Sequence, residues 1–300
     1  MKKIAIVGAP MWLGQNHFGT SLGPDAIRAA GLVERLHAIS DDVVDVGNIA
    51  IDIKNEQLGN KRGNIKHLAT VRDGVEHLAQ TISQMVIEGR FPLVLGGDHS
   101  IAIGTLAGIA QHYRNLGVIW YDAHADSNTA EVSPSGNIHG MSLAVSVGLG
   151  HSDLVQVGGY QNKVRPENIV LIGVRDMDTE EKKIVYDMPI KIFTSEDVEE
   201  RGIGSVIDEA ISYLAPKCDG IHLSFDLDVG DPTEICGVGT PVEGGIEFGK
   251  NLEAMRKLSH YNVITSAEFV EVNPVLDKDG KTVAATLDFI QALLSDEFTN

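Results

Sequence analysis

Asp122, His124 and Asp126 stand two residues apart in the stretch Asp122-Ala123-His124-Ala125-Asp126. In an extended backbone alternate side chains share a face, so this spacing predicts two carboxylates and an imidazole converging on one point. That is a ligand set for a divalent cation. The preceding run, residues 116–121, is apolar and rich in Val, Ile, Trp and Tyr, and reads as a buried strand carrying the trio at its carboxyl end. A lone aspartate there would be an ordinary strand cap; three ligating residues at a spacing of two ask for more.

Other segments offer the same chemistry after other predicted strands. His99 lies in Gly96-Gly97-Asp98-His99-Ser100, and Asp226 and Asp228 follow residues 220–225. Taken alone, each has a structural reading: Asp98 and His99 suit a turn capping a helix, and Asp226 with Asp228 suit a turn or a calcium loop. Together the segments predict a site of four carboxylates and two imidazoles without thiolate, suited to hard or borderline divalent ions. Four negative charges balance two such ions, and a carboxylate can bridge them, so a two-metal centre is predicted. A water shared by those ions would ionise near neutral pH and serve as a nucleophile.

The elements that must position these residues alternate along the chain. Strands are predicted for the apolar start, residues 43–46, 92–95, 116–121, 168–173, 190–193, 220–225 and 263–269. Helices are predicted from Gly23-Pro24-Asp25 with Ile27, Ala30, Leu32 and Leu36 on one face, and over 65–88, 101–110, from Thr179, and over 203–214, 248–258 and 282–294. Residues 54–64 read as a polar loop. No Pro/Ser-rich linker, repeat or low-complexity segment interrupts the series. The expected architecture is α/β: a single three-layer α/β/α domain over residues 1–300, around a mainly parallel sheet of about eight strands, with the metal site at its carboxyl edge.

Composition narrows the partners. With 24 basic and 42 acidic residues the net charge is −18, which argues against phosphate backbones and anionic membranes, so neither nucleic acid nor membrane is an expected partner. A dinuclear phosphoesterase is disfavoured because the motif loops hold no Lys or Arg. The apolar run after Lys2 and Lys3 is too short for a secretion signal, and no uninterrupted apolar stretch approaches the roughly 18 residues of a membrane span, so a cytoplasmic protein is expected. Cys218 and Cys236 form no CxxC pair and read as free thiols.

With these motifs assembled, the chain resembles the ureohydrolases, the superfamily of arginases and agmatinases. The resemblance spans essentially the whole sequence, including Gly23-Pro24-Asp25-Ala26-Ile27-Arg28 and Glu271-Val272-Asn273-Pro274. It implies that His99, Asp122, His124, Asp126, Asp226 and Asp228 hold two Mn2+ ions, and that hydroxide attacks a guanidinium carbon to release urea. It implies further that Asn128, Ser135 and Asn137 hold a substrate α-carboxylate and that Asp178 and Glu181 hold its α-amino group. His139 would shuttle protons, Asp126 would help pass one to the departing amine, Glu271 would meet the guanidinium, and Thr240 would have a weaker active-site role. The implied reaction is L-arginine to L-ornithine and urea, in a homotrimer or homohexamer.

The residues themselves leave other readings open. Residues 128–139 form an Asn/Ser/Gly/Pro loop like many others, His139 could be a surface histidine, and Asp178 and Glu181 suit a helix start as well as a ligand. Another guanidino substrate, as in agmatinases or guanidinobutyrases, or an inactive metal-binding relative, are the alternatives. One departure stands out: Val229-Gly230-Asp231-Pro232 follows the last ligand where the family usually has Gly-Leu-Asp-Pro. A β-branched residue hardly adopts φ > 0, so an altered turn is expected there.

Overall fold

The computed structural model describes residues 2–15, 17–53, 61, 62 and 64–295. Its strands are β1 (Ile4–Ala9), β2 (Val43–Asn48), the short pair β3 (Lys61–Arg62) and β4 (Ile65–Lys66), β5 (Phe91–Gly96), β6 (Leu116–Tyr121), β7 (Ile169–Val174), β8 (Lys191–Thr194), β9 (Gly220–Asp226) and β10 (Ile264–Val270). Apart from the β3–β4 hairpin they form one sheet of eight strands in the order β2-β1-β5-β10-β9-β6-β7-β8. Every pairing in that sheet is parallel. Strands β1, β5, β6, β7 and β9 are buried along their whole length, which is why they read as continuous apolar runs rather than as alternation.

Helices cover both faces. One face packs α1 (Gly23–Ala29), α2 (Leu32–His37), α8 (Ser195–Arg201), α9 (Ile203–Leu214), α10 (Phe248–Tyr261) and α11 (Lys281–Leu294) over Leu93, Ile119, Leu223 and Phe269. The other packs α3 (Leu68–Ile87), α4 (Ala102–Ala110), α5 (Ser142–Ser146), α6 (Ser152–Val155) and α7 (Thr179–Asp187) over Val7, Val94, Val118 and Leu171. The three-layer α/β/α architecture expected from the alternation is therefore present. Cys218 and Cys236 are free thiols, and no helix among the described residues is long and apolar enough to cross a membrane.

Local differences from the expectation have local causes. The helical face predicted through Ile27 and Leu36 is broken by Gly31 at φ 97°, which separates α1 from α2. The helix predicted from residue 65 starts at Leu68, because Ile65–Lys66 pair in the hairpin and His67 takes φ 53°. Helix α8 was not predicted, although Thr194 and Asp197 form a capping box at its start. Most of the polar segment 54–64 lies outside the described residues.

Order in the sheet places the site. Strands β5, β10, β9 and β6 are consecutive neighbours at its centre, so the segments after them emerge side by side at one edge. His99 follows β5, Glu271 follows β10, Asp226 and Asp228 end and follow β9, and the Asp122 trio follows β6.

Candidate metal centre and substrate cleft

His99 is turned inward by a tight bend at the end of β5. Gly97 permits it, since a Cβ there would stand 1.9 Å from the Met11 carbonyl oxygen. Asp98 caps the turn, accepting from the Ser100 N–H at 3.0 Å and the Gly14 N–H at 2.7 Å, as well as from the Ser100 hydroxyl; this is the structural role assigned to it from sequence. The buried His99 ring stacks on Trp120 with centroids 4.2 Å apart.

Around His99 Nδ1 stand the Oδ2 atoms of Asp122 at 3.1 Å, Asp126 at 3.1 Å and Asp226 at 3.0 Å. Beside this group, His124 Nδ1 lies 3.1 Å from Asp228 Oδ2 and 3.4 Å from Asp122 Oδ1. Asp122 thus offers one oxygen to each group. Both groups could hold an ion: His99, Asp122 and Asp126 form one, and Asp122, His124 and Asp228 the other. The six predicted ligands are brought together. They do not converge by strand alternation, however: β6 ends at Tyr121, and Asp126 swings inward from a left-handed backbone at φ 47°.

The donor set fits divalent cations. Ligand atoms on adjacent vertices about an ion at ~2.1 Å stand roughly 3 Å apart, the spacing found here. His99 Nδ1 is buried and makes no hydrogen bond, with only carboxylate oxygens around it. Burial, followed by repulsion from Asp228 and Asp122, pushes Asp226 well above the usual carboxylate range, and burial likewise raises Asp126 and Asp228. Burial acts the same way on Asp122, but His124 and His99 outweigh it and lower that group. Burial opposes charge on both imidazoles, and the surrounding carboxylates raise them well above the ordinary histidine value all the same. The cluster is short of positive charge, which is what a divalent ion supplies.

Neighbours orient the candidate ligands. Trp120 Nε1 donates to Asp122 Oδ2 at 2.9 Å and the His124 N–H to Asp122 Oδ1 at 2.7 Å. The Asp228 N–H donates to Asp226 at 2.9 Å, and Thr240 Oγ1 to Asp228 Oδ2 at 2.9 Å, which places Thr240 behind a ligand. Val229 sits in a buried 3-10 turn and is not among the residues with positive φ, so the turn accommodates its β-branched side chain. Arg175, unremarked in the sequence, locks this region: its guanidinium donates to the carbonyls of Asp228 at 2.8 Å, Val229 at 3.1 Å and Val242 at 3.0 Å.

Glu271, buried at the end of β10 with φ 66°, accepts from the His99 N–H at 2.9 Å and from Gln15 Nε2 at 2.7 Å. Nothing local in the sequence marked Gln15, because its partner lies 256 residues away. His139 is no plain surface histidine: its Nδ1 is 3.5 Å from Glu271 Oε1, and although burial opposes its charge, Glu271 raises its pKa.

The loop after the trio meets α7. Asp178 caps that helix in a box with Glu181, and Asn128 Nδ2 donates to Asp178 Oδ2 at 3.2 Å while the Ser127 N–H donates to Glu181 Oε1 at 2.8 Å. Burial pushes the Glu181 carboxyl up to about 7. Further along, the Asn137 N–H donates to Ser135 Oγ at 3.2 Å across Gly136 at φ 71°. Lys66 Nζ donates to Asn137 Oδ1 at 2.8 Å, a contact that sequence reasoning missed, and leaves the amide NH2 as the donor end.

Fold and site together define a class: a three-layer α/β/α protein with a candidate metal centre at the carboxyl edge of a parallel sheet. The arginase-family sequence model matches residues 2–295, and the chain belongs to that family. It is 52% identical over 300 residues to the arginase of Bacillus caldovelox, covering 99% of each chain, and 51% identical over 296 residues to that of Bacillus subtilis (strain 168), covering 98% of each. The solved native structure of the Bacillus caldovelox arginase superposes with a TM-score of 0.96 at 51% identity, with 100% of both chains covered. An Entamoeba histolytica arginase solved in complex with L-ornithine superposes with a TM-score of 0.91 at 34% identity, covering 98% of this chain and 99% of that one.

Proposed function

We propose that the chain, as one domain, hydrolyses L-arginine to L-ornithine and urea at a pair of Mn2+ ions. The observation that carries this reading is Asp122, whose two oxygens face two different imidazole-carboxylate groups. His99, Asp122, Asp126 and Asp226 would hold one ion, and Asp122, His124 and Asp228 the other. Bound there, such ions would supply Lewis-acid activation of water and stabilisation of developing negative charge.

The remaining residues bind, orient and move protons. Glu271, fixed by Gln15 and the His99 N–H, turns its free lone pairs to the planar guanidinium. His139, beside Glu271 and partly open to solvent, exchanges protons between site and bulk. Asp126 hands a proton to the departing amine. Asn128, Ser135 and Asn137 donate to the α-carboxylate, while Asp178 and Glu181 accept from the α-amino group. Thr240 holds Asp228 in place. The L-ornithine complex of a relative supports an amino-acid product over an amine, and the family resemblance supports a cytoplasmic homotrimer or homohexamer.

The test is urea release from a panel of guanidino compounds by metal-depleted protein reloaded with Mn2+. Arginine is expected to be hydrolysed far faster than agmatine or guanidinobutyrate, with no turnover before reloading. A preference for agmatine overturns the substrate assignment, and metal uptake without turnover on any compound overturns the enzymatic reading.

A further inference from the structure

The sheet face under α3 and α4 is apolar on most strands, yet β9 and β10 present polar side chains there. His222 and Ser224 alternate with Ile221, Leu223 and Phe225 on β9, and Ser266 and Glu268 alternate with Ala267 and Phe269 on β10. All four polar side chains are buried. The register aligns Glu268 with Ser224 and Ser266 with His222, and continues the first row to Val94 on one side and Trp120 on the other. A carboxylate in the middle of a packed sheet is expensive unless it is hydrogen-bonded.

Its hydrogen bonds lead to the metal centre. Ser224 Oγ donates to Glu268 Oε1 at 2.7 Å and lies 2.8 Å from His99 Nε2. An ionised carboxylate only accepts, and a hydroxyl has one proton to give. With that proton committed to Glu268, Ser224 can only accept from the imidazole, so the ring proton of His99 sits on Nε2. Nδ1, beside the Asp122, Asp126 and Asp226 oxygens, is then the nitrogen that would ligate a bound cation. His222, whose Nε2 is 3.5 Å from Glu268 Oε1 and whose Nδ1 is 2.9 Å from Ser266 Oγ, lies beyond Glu268 and away from the ligands.

We infer that Ser224 and Glu268 are positioning residues that fix His99 in its ligating form and set the cation affinity of the His99 side of the centre, leaving the His124 side largely to itself. The inference rests on the metal reading proposed above. A merely structural polar pair would stabilise the sheet without distinguishing between the two sides.

The experiment titrates Mn2+ into metal-depleted full-length protein, with binding followed by calorimetry and by electron paramagnetic resonance. In Glu268→Gln and Ser224→Ala one class of site is expected to weaken ~10–100-fold, the range seen when the partner of a ligating histidine is lost. The other class should stay within about threefold, and Ser224→Thr, which keeps the hydroxyl, should restore the first class. Unchanged affinities in both Glu268→Gln and Ser224→Ala overturn the inference, as does equal weakening of both classes with a lowered melting temperature of the metal-free protein. Wild-type protein that takes up no Mn2+ overturns the functional reading, and the inference with it.

Discussion

The candidate metal cluster and the loop that follows it differ in how they are held. His99, Asp122, Asp226 and Asp228 are buried at strand ends, and each is fixed by neighbours that are themselves buried, such as Trp120 and Ser224. Ser135 and Asn137 lie on a loop, Ser135 exposed, and their contacts come from a turn at Gly136 and from Lys66 on a hairpin. Chemistry is thus tied to the core of the sheet, while the part that would choose a substrate rides on a segment that can change without disturbing it.

The largest test of that division is Asp122→Asn, which keeps the shape and removes the shared charge. Mn2+ content should fall and kcat should drop about a thousandfold or more, several kcal/mol of lost transition-state stabilisation; metal analysis beside the urea assay reads both. Wild-type turnover would break the comparison at the cluster. Next comes Asn137→Ala, for which the KM for arginine should rise about 10–100-fold, the worth of one hydrogen bond to a charged group, while kcat stays within a few-fold. A fall in kcat at unchanged KM would mean that loop and cluster are not separable.

A third test lies in pH dependence, where Glu181 joins the two regions. Burial raises its folded-state pKa from 4.5 to about 7, so the native state keeps a proton that the unfolded state releases. Native stability is therefore lost as pH rises through the window from 4.5 to about 7. In the metal-free protein the advantage of Glu181→Gln over wild type should grow across that window by up to about 3 kcal/mol, measured by denaturant melts. Over the same window the wild-type KM for arginine should fall as Glu181 ionises. A stability difference that is flat with pH would show the carboxyl to be already charged at pH 5.

The strands, and the six residues that the structure gathers into the candidate metal cluster, were legible because both are written locally, as apolar runs and as residues of ligating type placed just after them. The way in which the trio converges was not: spacing suggested an extended strand, whereas Asp126 reaches the site through a left-handed backbone that only tertiary packing selects. Gln15, Lys66 and Arg175 were invisible for a related reason, since each acts on a partner 53 or more residues away. His222, Ser224 and Glu268 did carry a signal. A strand predicted as buried that places His222, Ser224 and Asp226 on one face, opposite another with Ser266 and Glu268, departs from the apolar pattern of its neighbours.

Strand β10 lies between β5 and β9 although it comes after both in the chain. During synthesis β1, β2 and β5 can pair as one half-sheet, and β6, β7, β8 and β9 as another, but neither half can close on the other until residues 264–270 arrive. At ~5–20 residues per second, the 168 residues from Gly96 to Ile264 (264 − 96) keep the β5 edge unpaired for roughly ten to thirty seconds. Throughout that interval the β5 edge stands open to wrong partners, and over the last 38 residues (264 − 226) the β9 edge is open beside it. The strand that closes the gap also delivers Glu271, so the nascent chain completes its sheet and its active site in a single late step.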